Sequence, residues 1–148
     1  MRYFEDFEVG ESADSEEWYE LREDEIIAFC ERWDPLPFHV DPQFAARTPV
    51  GKLFTSAVHT VAIAIRLGHQ MNKEPVATEI GLGWDDVRFS NPARVGDRLR
   101  LHGEIIEARA SKSRPTVGVI GSRLRLTNQD GAEVISFKTA ALIRRRPE

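Results

Sequence analysis

Two prolines stiffen the segment Asp34-Pro35-Leu36-Pro37-Phe38-His39-Val40-Asp41, which sets an acid and an imidazole a short way apart. That pairing suits general acid-base chemistry, because histidine titrates near neutral pH and a neighbouring carboxylate orients its ring or shares its proton. Each proline fixes its own φ and drives the residue before it out of the helical region, so Asp34 and Leu36 are expected to be extended. The segment should turn rather than wind, with Asp34 and His39 facing one another across the bend. Asp41, followed by Pro42, reads as the N-cap of a short helix over 41–47.

A second chemical feature follows at Gly51-Lys52-Leu53-Phe54-Thr55-Ser56-Ala57. Thr55 or Ser56 caps a helix here, which leaves free backbone N–H groups at the positive end of the helix dipole, a place that stabilises negative charge. His59, three residues beyond Ser56, shares that part of the helix; it either faces the same cavity or is a hydrogen-bonded core histidine. His69 and His102 read as structural or exposed. No His, Cys or carboxylate cluster has ligand spacing, so no metal is expected, and no glycine-rich phosphate loop marks a nucleotide cofactor.

Several elements must position these groups. Residues 1–13 look irregular, and 17–21 read as a first strand. Asp24 to Trp33 shows apolar residues at helical spacing with acids at its start, and Pro35 ends it at Asp34. A carboxylate at the negative end of a helix is locally unfavourable, and such a violation points to function. Thr55 to about Met71 is apolar on nearly every face and should be enclosed by other structure. After a strand over 77–89, Leu99, Leu101, Gly103 and Ile105 alternate with Arg98, Arg100, His102 and Glu104, as in a half-buried strand. A change of parity between Val117/Val119 and Leu124/Leu126 predicts a bulge near Ile120-Gly121. Asn128-Gln129-Asp130-Gly131 is a hairpin turn before a strand over 133–143. The pattern is α+β: an antiparallel sheet wrapped around one long central helix, in a single domain over 1–148.

Composition agrees with a soluble globular chain: 148 residues, 41% hydrophobic, 30% charged and 9% aromatic. A net charge of −4 and a pI near 5.6 argue against a general grip on nucleic acid or an anionic membrane surface. Cys30, the single cysteine, excludes an intramolecular disulfide and reads as a buried, inert thiol. The apolar run from Val58 to Leu67 is too short to span a bilayer, and the acidic, polar N-terminus lacks a secretory h-region, so a cytoplasmic location is expected. Arg144-Arg145-Arg146 reads as a frayed tail.

The order of these parts and three motifs resemble the MaoC-like (R)-specific enoyl-CoA hydratase and dehydratase family, whose members have the hot-dog fold. Its first motif, roughly D-x-[N or Q]-P-x-H-x-D, corresponds to Asp34 through Asp41. Its second, G-x-x-[I or V]-A-[S or H]-G, corresponds to Gly51 through Ala57, and V-x-F-x-x-P-V-x-x-G-D corresponds to Val87 through Asp97. Two positions depart: Leu36 stands where an amide is common, and Ala57 replaces a glycine.

The resemblance implies a lyase that adds water to a trans-2-enoyl thioester or removes it from a 3-hydroxyacyl thioester. Asp34 and His39 would move the protons, with the division of roles between them left open. Ser56 and the N–H groups near Ala57 would orient the thioester and hold charge on its oxygen. Gly51, Lys52, Arg47, Arg88, Arg94 and His59 are candidate substrate contacts, the cations for the coenzyme A phosphates. No cofactor is implied beyond the coenzyme A of the substrate. A homodimer or higher homo-oligomer is expected. The competing readings are a non-catalytic acyl-binding or partner subunit and a hot-dog thioesterase.

Overall fold

Residues 1–147 are described by a computed structural model. After a short 3-10 turn at Phe4–Asp6 come β1 (Ser12–Asp14), β2 (Tyr19–Glu20), α1 (Glu23–Trp33), α2 (Pro37–Val40), α3 (Pro42–Ala46) and α4 (Ala57–Gly68). The chain then builds β3 (Thr78–Phe89), β4 (Arg98–Ala110), β5 (Val117–Thr127) and β6 (Glu133–Arg144). The sheet order is β1-β4-β5-β6-β3, antiparallel, with β2 pairing beside β1 on β4.

Alternation along β4 sends Leu99, Leu101 and Gly103 inward and leaves Arg98 and His102 exposed. The inner face, with Leu126, Val134, Ile135 and Phe137, packs on Ile63, Ala64 and Leu67 of α4 and on Ile26 and Cys30 of α1. Each fully buried leucine in that layer contributes about 2 kcal/mol by removal from water. The fold is therefore an α+β hot-dog, with the antiparallel sheet curved around α4.

Several expectations change. Ser12–Asp14, which begins inside the stretch 1–13 expected to be irregular, forms a strand because its backbone finds partners on β4. The strand expected over 17–21 shrinks to Tyr19–Glu20. The predicted bulge is displaced: β5 keeps unbroken register with β6 from Val117 to Leu126, and the extra residue lies in β4 between Ile105 and Glu107, opposite Ser122 and Gly121. Val117 to Gly121 of β5 are buried on both faces, so the apparent change of parity marks burial of both sides and not a kink in its backbone. The central helix ends at Gly68, short of Met71.

Helix α4 is not enclosed all round within this chain, since Val58 and Ile65 are 57% and 45% exposed. Edge strand β3 exposes Ile80, Leu82, Trp84 and Phe89. The basic tail is pinned: Arg145 Nε donates to Glu5 Oε1 at 2.8 Å, and Arg146 donates to Asp6 Oδ1 at 2.6 Å. Glu5 is held down to about 2, first by the Arg145 side chain and then by the backbone N–H of Arg146, which donates to Glu5 Oε2 at 3.0 Å.

Candidate active site

Helix α1 stops at Asp34, whose N–H still donates to the Cys30 carbonyl at 2.9 Å while its φ of −156° leaves the helical region. Pro35 forbids continuation. Leu36 is extended, and Pro37 occupies the first position of α2. The segment thus winds for one turn where a plain bend was expected, because the φ that proline imposes is already helical. That turn swings His39 inward until it is 5% exposed. Asp41 caps α3, accepting from the N–H of Gln43 and of Phe44.

The tautomer of His39 follows from its partner. Nδ1 lies 2.8 Å from the carbonyl oxygen of Phe54; a carbonyl only accepts, so Nδ1 carries the proton and Nε2 is the free nitrogen. The ring is wedged edge-on against Phe38 and Phe54, with centroids 4.6 and 4.9 Å away. Nε2 points at Asp34 Oδ2, 3.6 Å distant, which is beyond direct hydrogen bonding.

Ser56 meets the same oxygen. Fully buried, it is the N-cap of α4 and accepts from the Val58 N–H at 3.3 Å, while its own hydroxyl donates to Asp34 Oδ2 at 2.6 Å. With the Val58 N–H so engaged, the Ala57 N–H is left at the first turn without an intrahelical acceptor. An ionisable oxygen, a basic ring nitrogen and a free backbone donor at a helix start thus lie together. Such a group can move a proton and hold a nearby negative charge.

The remaining candidates are distributed unevenly. Gly51 has φ +75°, a left-handed turn that favours glycine. Lys52 reaches back to the Gly96 turn: its Nζ lies 3.8 Å from where a Cβ on Gly96 would stand. Arg94 is on the neighbouring segment, bridged through its backbone to Phe54, so these two cations are brought beside the start of α4. Arg47 ends α3 next to the Phe44 ring, and Arg88 lies on β3. Among the described residues none of these four makes an ion pair.

His59 faces elsewhere. Its Nδ1 is 2.6 Å from Thr55 Oγ1 and its Nε2 is 3.2 Å from Glu25 Oε1, while its ring stacks on Phe29 at 4.3 Å. Burial lowers its pKa, partly opposed by Glu25. The Tyr19 hydroxyl also meets Glu25 Oε1, and burial followed by that hydrogen bond raises Tyr19 to about 12. These contacts went unread in the sequence, although the four-residue spacing of Thr55 and His59 on one helix face was a usable signal. The Phe54 carbonyl carried none, since any residue supplies a carbonyl. A cavity of about 680 Å³ lies away from all of this, at the C-terminal end of α4, lined in part by Met71, Ile105, Ile120 and Leu124.

Fold and site together define a hot-dog protein that carries an acid-imidazole pair at the start of its central helix. Residues 6–124 match the family described as MaoC like domain, and the chain belongs to that family. It is similar to a MaoC-like dehydratase from Rhodospirillum rubrum, with 31% identity, full coverage of both chains and a TM-score of 0.91. It is 32% identical over 100 residues to 3-hydroxyacyl-thioester dehydratase Z of Mycobacterium tuberculosis, covering 66% of this chain and 66% of that protein, just under two thirds of its length. The R-hydratase PhaJ1 of Pseudomonas aeruginosa shares the fold, with 23% identity, 97% of this chain and 86% of that one covered, and a TM-score of 0.78. Two of these relatives, the Rhodospirillum rubrum and Mycobacterium tuberculosis proteins, are named dehydratases.

Proposed function

We propose that this chain hydrates a trans-2-enoyl thioester, or dehydrates the (R)-3-hydroxyacyl thioester, with coenzyme A as the thiol. The observation that carries the reading is the convergence of Ser56 Oγ and His39 Nε2 on one oxygen of Asp34, at 2.6 and 3.6 Å. A water about 2.8 Å from both Asp34 Oδ2 and His39 Nε2 fits as the apex of a triangle over that gap. In hydration its oxygen bonds to C3 of the enoyl group, the Asp34/His39 pair takes one of its protons, and the pair returns a proton to C2. Charge that collects on the thioester oxygen is held by the Ala57 N–H at the positive end of α4. Ser56 orients the thioester through its hold on Asp34, and Lys52 and Arg94 take the phosphates of coenzyme A, with Arg47 and Arg88 further out. No resident cofactor takes part.

The protein acts as a cytoplasmic homodimer in this reading. Edge strand β3 and the uncovered side of α4 both present exposed apolar side chains that a second copy would cover, a usual fate of an exposed strand edge. The deciding experiment is hydration of crotonyl-CoA, followed by loss of enoyl absorbance. Turnover that disappears in folded His39→Ala and Asp34→Asn supports the reading. Full turnover in both variants, or release of free thiol in place of hydration, would overturn it.

A further inference from the structure

Beyond the Asp34/His39/Ser56 group, the interface between α1 and α4 holds a second set of polar side chains that the proposed chemistry does not use. Cys30 Sγ lies 3.6 Å from Thr55 Oγ1, which lies 2.6 Å from His59 Nδ1, and His59 Nε2 lies 3.2 Å from Glu25 Oε1, the oxygen that also meets the Tyr19 hydroxyl. Cys30, Thr55 and His59 are all at most 3% exposed. An ionised Glu25 only accepts, so His59 donates to it from Nε2–H and its Nδ1 is a bare acceptor. Thr55 then donates to Nδ1, and Cys30 donates its S–H to Thr55. The donors run in one direction and end on one carboxylate oxygen; none is left unmatched.

The chain closes onto the proposed site. Thr55 and Ser56 are consecutive, and Cys30 and Asp34 are one helical turn apart, joined by the Asp34 N–H to Cys30 carbonyl bond of 2.9 Å. Helix α1 is thus tied to the start of α4 by three polar rungs: Glu25 with His59, Cys30 with Thr55, and Asp34 with Ser56. The last of these is the proposed catalytic contact. Alkyl side chains in place of the first two rungs would pack but would leave the helices free to slide in register.

We infer that Thr55 and His59 are positioning residues, which through Glu25 fix the register of α1 against α4 and so hold Asp34 Oδ2 at its working distance from His39. This rests on the hydratase reading above, and the test separates the two. Thr55→Val keeps the shape and removes the hydroxyl, Thr55→Ser keeps the hydroxyl, and His59→Leu removes the link to Glu25. Crotonyl-CoA kinetics give kcat and KM, and the NMR chemical shifts of the His39 ring at one fixed pH report its setting against the Asp34 carboxylate whether or not the substrate is correct. Thr55→Val and His59→Leu are expected to lower kcat about tenfold or more with KM nearly unchanged, since displacements of 1 Å at a reacting centre have effects of that size. Both should move the His39 ring shifts, and Thr55→Ser should restore kcat and shifts. Variants that merely melt earlier, with kcat and the His39 ring shifts as in the wild type, overturn the inference. If the wild-type protein leaves crotonyl-CoA unchanged, the hydratase reading fails on its own and the His39 ring shifts decide this one.

Discussion

Ser56 donates its hydroxyl hydrogen to Asp34 at 2.6 Å across 22 residues of sequence, joining the N-cap of one helix to the C-cap of another. That single contact gives the acid a fixed direction and leaves Ser56 accepting from its own helix. Ser56→Ala should therefore act twice. Loss of the cap should lower stability by about 1 kcal/mol, measurable by urea unfolding, and kcat for crotonyl-CoA should fall roughly a hundredfold, as for other lost orienting donors.

The burial of His59 predicts a pH dependence of stability. Its pKa is lowered in the folded chain relative to the ordinary 6.5, so the unfolded chain binds the proton more readily and stability must fall with pH. The contribution is fully present above pH 6.5 and is lost progressively below it. Urea midpoints should drop between pH 7.5 and 5.0 in the wild type. In His59→Leu that part of the slope should vanish.

At the other end of the chain Glu5, ordinarily near 4.5, is held down to about 2 by Arg145 and Arg146. The depressed value means that the clasp is intact above pH 4.5 and loosens as pH falls toward 2. Amide protection at 144–147, measured relative to the intrinsic exchange rate at each pH, should fall over that range, and Glu5→Gln should show low protection already at pH 7.

Gly118 leaves no room for a side chain: a Cβ there would stand 2.1 Å from Cδ2 of Phe4. Gly118→Ala is expected to cost about 1–3 kcal/mol through overpacking. Adding Phe4→Ala, which removes the obstructing ring, should recover part of the loss. Strictly additive effects in thermal melts would count against that contact.

On the outer edge, Ile80 and Leu82 of β3 are 58% and 52% exposed, and the proposed dimer places them against a second copy. Ile80→Lys with Leu82→Glu should shift the sedimentation coefficient from dimer to monomer at micromolar concentration. A wild-type monomer would remove the basis for that assembly.

Much of the layout was legible because it is governed by short-range rules. Proline at 35 and 42, Asp41 as a cap and the alternation over 98–105 depend on neighbours within a few residues, so α1, α3 and β4 could be placed from the chain alone. The displaced bulge shows the limit. Parity along β5 depended on burial of both faces over 117–121, and only the pairing with β4 revealed where the extra residue lies. The tail went the same way, since Arg145 and Arg146 meet Glu5 and Asp6 from the opposite end of the chain.

At the candidate site the same division holds. Residue types alone determined that an acid, an imidazole and a hydroxyl before an apolar helix are present, and local backbone chemistry determined that each sits at a helix end or in a proline-bound turn. Their meeting on one carboxylate oxygen was decided by the packing of α1 against α4. So was the direction of His59, which turned toward Glu25 and away from Asp34, and so was the tautomer of His39, fixed by the backbone of Phe54. Sequence spacing specifies which face of a helix a side chain occupies; which partner that face meets depends on how two helices pack, a long-range outcome set by the whole core.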